Sequence, residues 1–407
     1  MRLLINVFLI FKQAFSFVAY SVSFLFPRNK KVWLYGNLKG SFRDNSKYLF
    51  IYNSTHFTEI NHIWISQSKD VVESINKIGF KAVYKFSPLA FWYALSAKVY
   101  IYNSAPTDTV HGCLRGKAYC FNLWHGIPFK KIEYDIKKGS FYKRFFNPIG
   151  LQQKIASFLF EPKLFRNSDG VLATSEKLTG IYCSAFKLKS GQVYIGPYPR
   201  NEIFKLSESE LSAFINKYES TEFKSLINII VRFKRVAIYM PTFRDDNPNF
   251  MDNAIPDFER LEQVCKQTNT LFLIKAHILT KFTTDLSKFG HIKQIDSNID
   301  VYPLLPYTNA LISDYSSIIF DYSLLNKKII FYSFDKEEYL SKSREAYFEY
   351  DDVFSKDIIK DFEGLLHDLQ CFDSERKYEY PLPKSFLQNK RTMGDIALHI
   401  KESIKYQ

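Results

Sequence analysis

Two histidines in this 407-residue sequence stand directly after apolar runs of strand character. His125 follows YCFNLW and precedes Gly126, which permits a sharp turn and the close approach of a ligand. An imidazole at such a strand end titrates near neutral pH and suits a general base, although a core-edge histidine bonded to backbone has the same spacing. His277 ends LFLIKAH, where Lys275 and His277, two apart on an extended strand, share one face. A third loop, Pro241-Thr242-Phe243-Arg244-Asp245-Asp246, follows RVAIYM. A guanidinium there can fork onto two phosphate oxygens while Asp245 or Asp246 holds it, and the plainer alternative is a solvated turn with a surface ion pair. The most informative loop is Ser313-Asp314-Tyr315-Ser316-Ser317, between ALI and the helical stretch IIFDYSLLN. Hydroxyls and free N–H groups at a helix start form an anion site, so a pyrophosphate could sit on Ser316 and Ser317; helix capping is compatible with that role. A carboxylate beside a pyrophosphate repels it, so Asp314 is expected to hydrogen-bond a histidine, a sugar hydroxyl or Arg244.

The elements that must position these loops alternate short apolar runs with longer helical patterns, which signals parallel sheets built from βαβ units. Strands are expected at 32–36, 62–66, 81–86, 98–103, 119–124, 170–175 and 192–196 in one half, and at 235–242, 271–277, 292–295, 310–314 and 328–333 in the other. Residues 205–230 read as polar, helix-forming sequence and mark the boundary between the halves. The domains expected are a membrane-interface helix at 1–27, an N-terminal Rossmann-like acceptor domain at 28–205 and a C-terminal Rossmann-like donor domain at 206–407. In open parallel sheets ligands bind beyond the carboxyl ends of the strands, where all four loops fall.

Residues 3–26 are nearly all apolar but are interrupted by Lys12 and Gln13, and no small-residue cleavage site follows. On a helix, Arg2, Asn6, Lys12, Gln13, Ser16 and Ser23 occupy one arc, with only Ser21 outside it. That pattern suits a helix lying in a membrane interface better than one spanning it, with Arg28, Lys30 and Lys31 placed to meet anionic headgroups.

A net charge of +13, from 55 Lys and Arg against 42 Asp and Glu, favours anionic partners. No run of five basic residues and no zinc-finger or RNP signature occurs, so phosphate-bearing substrates and acidic lipid are favoured over nucleic acid. The five cysteines are odd in number and widely spaced without CxxC, which argues against a disulfide framework or zinc site and suits a reducing compartment. GxGxxG, GxxxxGK[ST], GxSxG and HExxH are absent, as is a DxD metal motif, so dehydrogenase, P-loop kinase, hydrolase and zincin chemistries are disfavoured.

Taken in order, PRNKKVWLYG, FRDNSKYLF, FNLWHGIPFKKI, ATSEKLTGIY, GPYPRNEIF, YMPTFRDD, IKAH, ALISDYSSIIFDYSLLNKKIIFY and Arg344 through Tyr350 resemble the CDP-glycerol glycerophosphotransferases of teichoic acid and capsule synthesis. The resemblance implies a GT-B-like α/β fold of two Rossmann-type domains facing across a cleft, with an N-terminal amphipathic helix on the cytoplasmic face of the membrane. It implies His125 as base, His277 as a second essential histidine, Arg244 as a donor-phosphate contact, and Asp314, Ser316 and Ser317 as the pyrophosphate loop, with Gly126 and Lys275 among the donor-binding residues. A CDP-glycerol or other CDP-polyol donor is expected, with a lipid-linked glycan or polyol-phosphate acceptor, no obligatory cofactor, no metal and room for a homo-oligomer. Two departures stand out: Ile278 where the family often has proline after the histidine, and Gly196-Pro197-Tyr198-Pro199-Arg200-Asn201-Glu202 where it has GYPRND. The competing readings are a GT-B glycosyltransferase using a nucleotide sugar and a non-catalytic membrane scaffold.

Overall fold

The computed structural model describes residues 2–137, 148–160, 163–244, 247–277, 279–342, 345–353 and 358–405. Asp245, Asp246, Ile278 and Arg344 lie outside the described residues. The chain forms two compact units.

Unit 1 holds Met1–His125, Lys131–Glu202 and Gln388–Gln407. Its sheet comprises β1 (Asn29–Tyr35), β2 (Asn61–Ser66), β3 (Ala82–Tyr84), β4 (Ala97–Tyr102), β5 (Tyr119–Asn122), β6 (Gly170–Ala173) and β7 (Val193–Ile195), ordered β3-β2-β1-β4-β5-β6-β7. Its strands pair in parallel, with Leu34 opposite both Ile63 and Tyr100. Residues on both faces of the central strands are buried, including Trp33, Leu34, Ile63, Trp64 and Tyr100, as a sheet covered by helices on two sides demands. The flanking helices are α1 (Arg2–Ser23), α2 (Asp44–His56), α3 (Lys69–Lys77), α4 (Pro88–Ser96), α5 (Gly150–Phe160) and α6 (Thr179–Phe186).

Helix α1 turns part of its polar stripe towards its own unit, while Lys12 of the same stripe is exposed. Gln13 and Ser23 are buried, whereas Phe11, Phe15, Val18 and Val22 are exposed. Arg28 fastens the helix end: its guanidinium donates to the carbonyl oxygens of Ala94 (2.5 Å), Ala97 (3.1 Å), Leu114 (2.7 Å) and Ser23 (3.5 Å). Among the described residues no helix is long and apolar enough to cross a membrane.

Unit 2 holds Gly126–Lys130 and Ile203–Leu387. Its five strands, β8 (Arg235–Tyr239), β9 (Thr270–Ile274), β10 (Ile292–Gln294), β11 (Ala310–Ser313) and β12 (Lys328–Phe331), are parallel and ordered β10-β9-β8-β11-β12. The polar segment 205–230 forms α7 (Glu208–Tyr218) and α8 (Thr221–Ile230), started by Ser207 and Ser220, whose hydroxyls accept from the third helical N–H. Also present are α9 (Phe258–Gln267), α10 (Ile318–Ser323) and α11 (Phe362–Cys371). Strand order reverses between β8 and β11, so the loops beginning at Thr242 and Asp314 leave adjacent strands at the switch point.

All twelve expected strands form, with ends shifted by no more than three residues. Most shortening falls where motif residues such as Thr242, His277 and Asp314 leave the ladder for a loop. The domain limits are less simple than one break after residue 205. Gln388–Gln407 belongs to unit 1 because α12 (Met393–Ser403) buries Ile396, Ala397 and Ile400 there, and Gly126–Lys130 belongs to unit 2.

His62 links β2 to β1: Tyr35 Oη lies 2.9 Å from its Nδ1, and the Phe57 carbonyl oxygen lies 3.1 Å from its Nε2. The carbonyl requires a proton on Nε2, so the tyrosine hydroxyl donates to Nδ1 and the ring is neutral. Burial drives the His62 pKa down to about 4, with the Phe57 bond only partly opposing it, and burial likewise holds His399 at about 4. The unfolded chain binds a proton at each histidine below about 6.5, and the folded chain does so only near 4. Both groups therefore withdraw stability as pH falls through that window. A His62→Asn variant should be less stable than wild type at pH 7.5 yet lose less on going to pH 5, measured by urea midpoints; an equal loss would contradict the assignment.

Candidate functional site

The centre of unit 2 is a buried guanidinium. Arg244 forks onto Asp335, Nε donating to Oδ2 at 2.7 Å and Nη2 to Oδ1 at 2.9 Å. Nη2 also donates to Asp314 Oδ2 at 2.8 Å, and Nη1 to the Thr242 carbonyl at 2.5 Å. The side chain is only 4% exposed. Its guanidinium lies 4.4 Å from the Tyr339 ring centroid and 5.1 Å from that of Tyr315. These two rings stack on each other at 3.9 Å, and the Tyr315 hydroxyl donates to Asp335 at 3.2 Å. Burial opposes the Arg244 charge, but Asp314 and Asp335 outweigh it and raise the group above its ordinary pKa. Burial likewise raises Tyr315, which stays protonated and keeps its O–H as a donor.

Asp314 is fully buried and accepts from the Thr242 N–H at 2.9 Å, the Tyr315 N–H at 2.6 Å and Arg244. Arg244 is thus the partner that the Asp314 carboxylate takes among the three expected. The fork expected to meet a phosphate instead meets Asp335, so Arg244 and Asp314 brace the two loops from behind. Ser316 and Ser317 are the half-buried pair in an otherwise buried run, and the Ser317 side chain makes no capping bond. The Ser317 hydroxyl is therefore not consumed as a helix cap, while Ser316 Oγ accepts from the Ile318 N–H at 3.5 Å, a long bond that leaves its O–H as a donor.

Lys275 and His277 go to different partners. The Lys275 ammonium donates to the carbonyl oxygens of Asp296 (2.5 Å) and Ile299 (2.9 Å). His277 is exposed, with its ring 4.7 Å from that of Phe243, beside the Thr242–Arg244 loop. The Leu279 N–H donates to His277 Nδ1 at 3.3 Å, so in the neutral ring the proton resides on Nε2.

In unit 1, His125 is the one exposed residue in the run Phe121–Phe129. Its Nδ1 lies 3.1 Å from the Asn103 carbonyl oxygen, just beyond β4. A carbonyl only accepts, so Nδ1 carries the proton and Nε2 the lone pair. Trp124 has φ +55°, with its ring 4.1 Å from the imidazole, and Gly126, which begins the unit 2 segment, has φ +155°, a value that favours glycine.

Sequence reasoning missed three contributors: Asp335 behind Arg244, and Arg200 with Asp44 around His125. Arg200 Nη1 donates to Asp44 Oδ1 at 2.6 Å and to the His125 carbonyl at 2.9 Å. Asp335 sits beyond β12 with no motif to mark it, whereas Arg200 lies inside GPYPRNEIF and Asp44 inside FRDNSKYLF, two of the segments that carry the family resemblance and so a usable signal. Among the described residues no group of three or more His, Cys, Asp or Glu is placed to hold a metal ion.

Residues 18–395 match the family described as CDP-Glycerol:Poly(glycerophosphate) glycerophosphotransferase. Over 361 residues the chain is 27% identical to the teichoic acid glycerol-phosphate transferase of Staphylococcus aureus (strain NCTC 8325 / PS 47), covering 86% of each chain. Over 370 residues it is 25% identical to the teichoic acid poly(glycerol phosphate) polymerase of Bacillus spizizenii (strain ATCC 23059 / NRRL B-14472 / W23), covering 85% of this chain and 86% of that one. Among solved structures, the wall teichoic acid polymerase TagF matches with TM-score 0.69 at 21% identity, over 93% of this chain and 90% of the other. A UDP-GlcNAc 2-epimerase from Neisseria meningitidis matches at TM-score 0.51 and 12% identity, over 92% of this chain and 100% of the other. These structural likenesses establish the fold, mixed α/β with two parallel sheets, consistent with the GT-B-like class.

Removing Asp335 leaves the buried Arg244 guanidinium with Asp314 as its remaining carboxylate and with its Nε donor unmet. Asp335→Ala should therefore destabilise unit 2 by about 3 kcal/mol, with Asp335→Asn closer to wild type. Chemical denaturation followed by tyrosine fluorescence measures this, and a wild-type midpoint for the alanine variant would contradict it.

Proposed function

From the premise that the chain belongs to the CDP-glycerol:poly(glycerophosphate) glycerophosphotransferase family, we propose that it transfers glycerol phosphate, or a related polyol phosphate, from a CDP-activated donor. The acceptor is a hydroxyl of a membrane-linked cell-surface polymer or its lipid-linked primer, and CMP is released. The acceptor oxygen bonds to the polyol-bearing phosphorus while that phosphorus parts from the bridging oxygen, which leaves with CMP. The acceptor proton passes to Nε2 of His125.

The observation that best supports this scheme is the opposite setting of the two imidazoles. Nδ1 of His125 donates, leaving Nε2 basic, while Nδ1 of His277 accepts, leaving Nε2–H as a donor suited to a phosphate oxygen of the departing CMP. Ser316 and Ser317 offer hydroxyls to the pyrophosphate from a loop that Arg244 and Asp314 hold in place.

Membrane association is part of the same proposal. Phe11, Phe15 and Val18 of α1 are exposed, as are Leu151 and Ile155 of α5 and Trp92 of α4. Helices α1 and α5 meet through Phe17 and Phe158, whose rings stack at 5.1 Å. Helix α1 buries Gln13 and Ser23 against unit 1 and presents Phe11, Phe15 and Val18 outward, an arrangement suited to an acyl boundary. The positive net charge favours the anionic cytoplasmic leaflet.

His125→Ala should lower CMP release from CDP-glycerol by about 10²–10⁴-fold with the melting midpoint unchanged. Near wild-type turnover would remove the base assignment. Parallel assays with CDP-ribitol and nucleotide sugars decide the donor, and turnover of nucleotide sugars alone would favour glycosyl transfer instead. For the membrane, Phe11→Glu combined with Phe15→Glu should reduce flotation with anionic phospholipid vesicles at least about tenfold, since burying a charge replaces burying two rings. Undiminished flotation would place the contact elsewhere.

A further inference from the structure

We propose that Arg200, together with Asp44, is a positioning residue for the general base: the pair fixes the backbone on which His125 is mounted. The inference deepens the proposed function and rests on His125 acting as base.

Arg200 is 2% exposed, and its Nη1 reaches the Asp44 carboxylate and the His125 carbonyl oxygen together. The Arg200 N–H donates to Asn45 Oδ1 at 3.3 Å, and Asn45 Nδ2 donates to the Trp124 carbonyl oxygen at 2.9 Å. The carbonyl of His125 and the one before it are thus both held, by two residues that are themselves hydrogen-bonded.

The restraint is needed because the backbone here is not one that a loop adopts unaided. Trp124 has φ +55° and Asp44 φ +65°, the left-handed region that side-chain-bearing residues avoid. Arg200 itself is set in a loop that is buried from Gly196 to Asn201. The Tyr198 ring lies 5.1 Å from the Arg200 guanidinium, and the Tyr198 hydroxyl meets that of Tyr182 at 3.0 Å. A buried loop after an edge strand departs from the usual exposure of connections, which fits a positioning task.

These contacts of Arg200 go to the main chain of His125, whose ring is oriented separately by the Asn103 carbonyl. Loss of Arg200 should therefore misplace the base with little effect on donor affinity. A displacement of about 1 Å at a reacting group can cost on the order of 10²-fold in rate.

The test measures kcat, KM for CDP-glycerol and the His125 tautomer by ¹⁵N NMR in Arg200→Met, Arg200→Lys and Asp44→Asn, with thermal melting as the folding control. Arg200→Met should lower kcat about 10²-fold with KM within about twofold, and should replace the single Nδ1–H form of His125 by a mixture. Arg200→Lys, whose ammonium can donate to both oxygens, should restore most of the rate. If Arg200→Met does not fold, Asp44→Asn serves, with a smaller loss in kcat and the same change in NMR signal. Wild-type kcat with an unchanged tautomer, or a loss confined to KM, would overturn the inference. Should His125→Ala remain active, the base reading fails on its own, while the tautomer measurement still decides whether Arg200 and Asp44 hold the backbone that brings the His125 ring to the Asn103 carbonyl.

Discussion

A charge taken out of water must be met by opposite charge and by hydrogen bonds, and the buried guanidinium of Arg244 in unit 2 sets this demand on everything around it. Asp335 takes the fork, Asp314 takes the second Nη2 proton, and the Thr242 carbonyl takes Nη1. Because Asp314 also accepts the N–H groups of Thr242 and Tyr315, the loops after β8 and β11 are tied to one carboxylate. A buried ion pair of this kind adds little net stability relative to an apolar core, but it admits few alternative arrangements. Its contribution is to define where the half-buried hydroxyls of Ser316 and Ser317 stand.

Unit 1 meets a related demand at the loop after β5. His125 is exposed while its neighbours are buried, and its conformation depends on a left-handed residue on one side and a glycine on the other. Bonds from Arg200, Asn45 and Asn103 hold that segment, and Asp44 neutralises the arginine. In both units a buried arginine paired with aspartate holds a loop whose least buried members, His125 in one and Ser316 and Ser317 in the other, are suited to chemistry. The two histidines consequently differ in protonation through their backbone partners rather than through any difference in residue type.

The orientation of α1 follows from the same accounting. Its polar residues Gln13 and Ser23 lie against unit 1, and Arg28 satisfies carbonyl oxygens at the ends of α1 and α4. Phe11 and Phe15 of the same helix are more than 70% exposed, and an apolar surface of this kind is costly in water.

The sequence by itself determined the twelve strands, the helical segment at 205–230 and the four loops at strand ends, because these depend on apolar runs and breakers a few residues apart. It also led to the expectation of a polar partner for Asp314, since a carboxylate beside a pyrophosphate repels it. Only the tertiary structure decided which partners are used. Asp335 lies 91 residues from Arg244, and Asp44 lies 156 residues from Arg200, so no local pattern marks either pair. The same holds for the last helix, whose apolar stripe at Ile396, Ala397 and Ile400 fits a core but does not say which one. Local periodicity states that a face will be buried, while the identity of its neighbour is settled by how distant strands and loops are brought together.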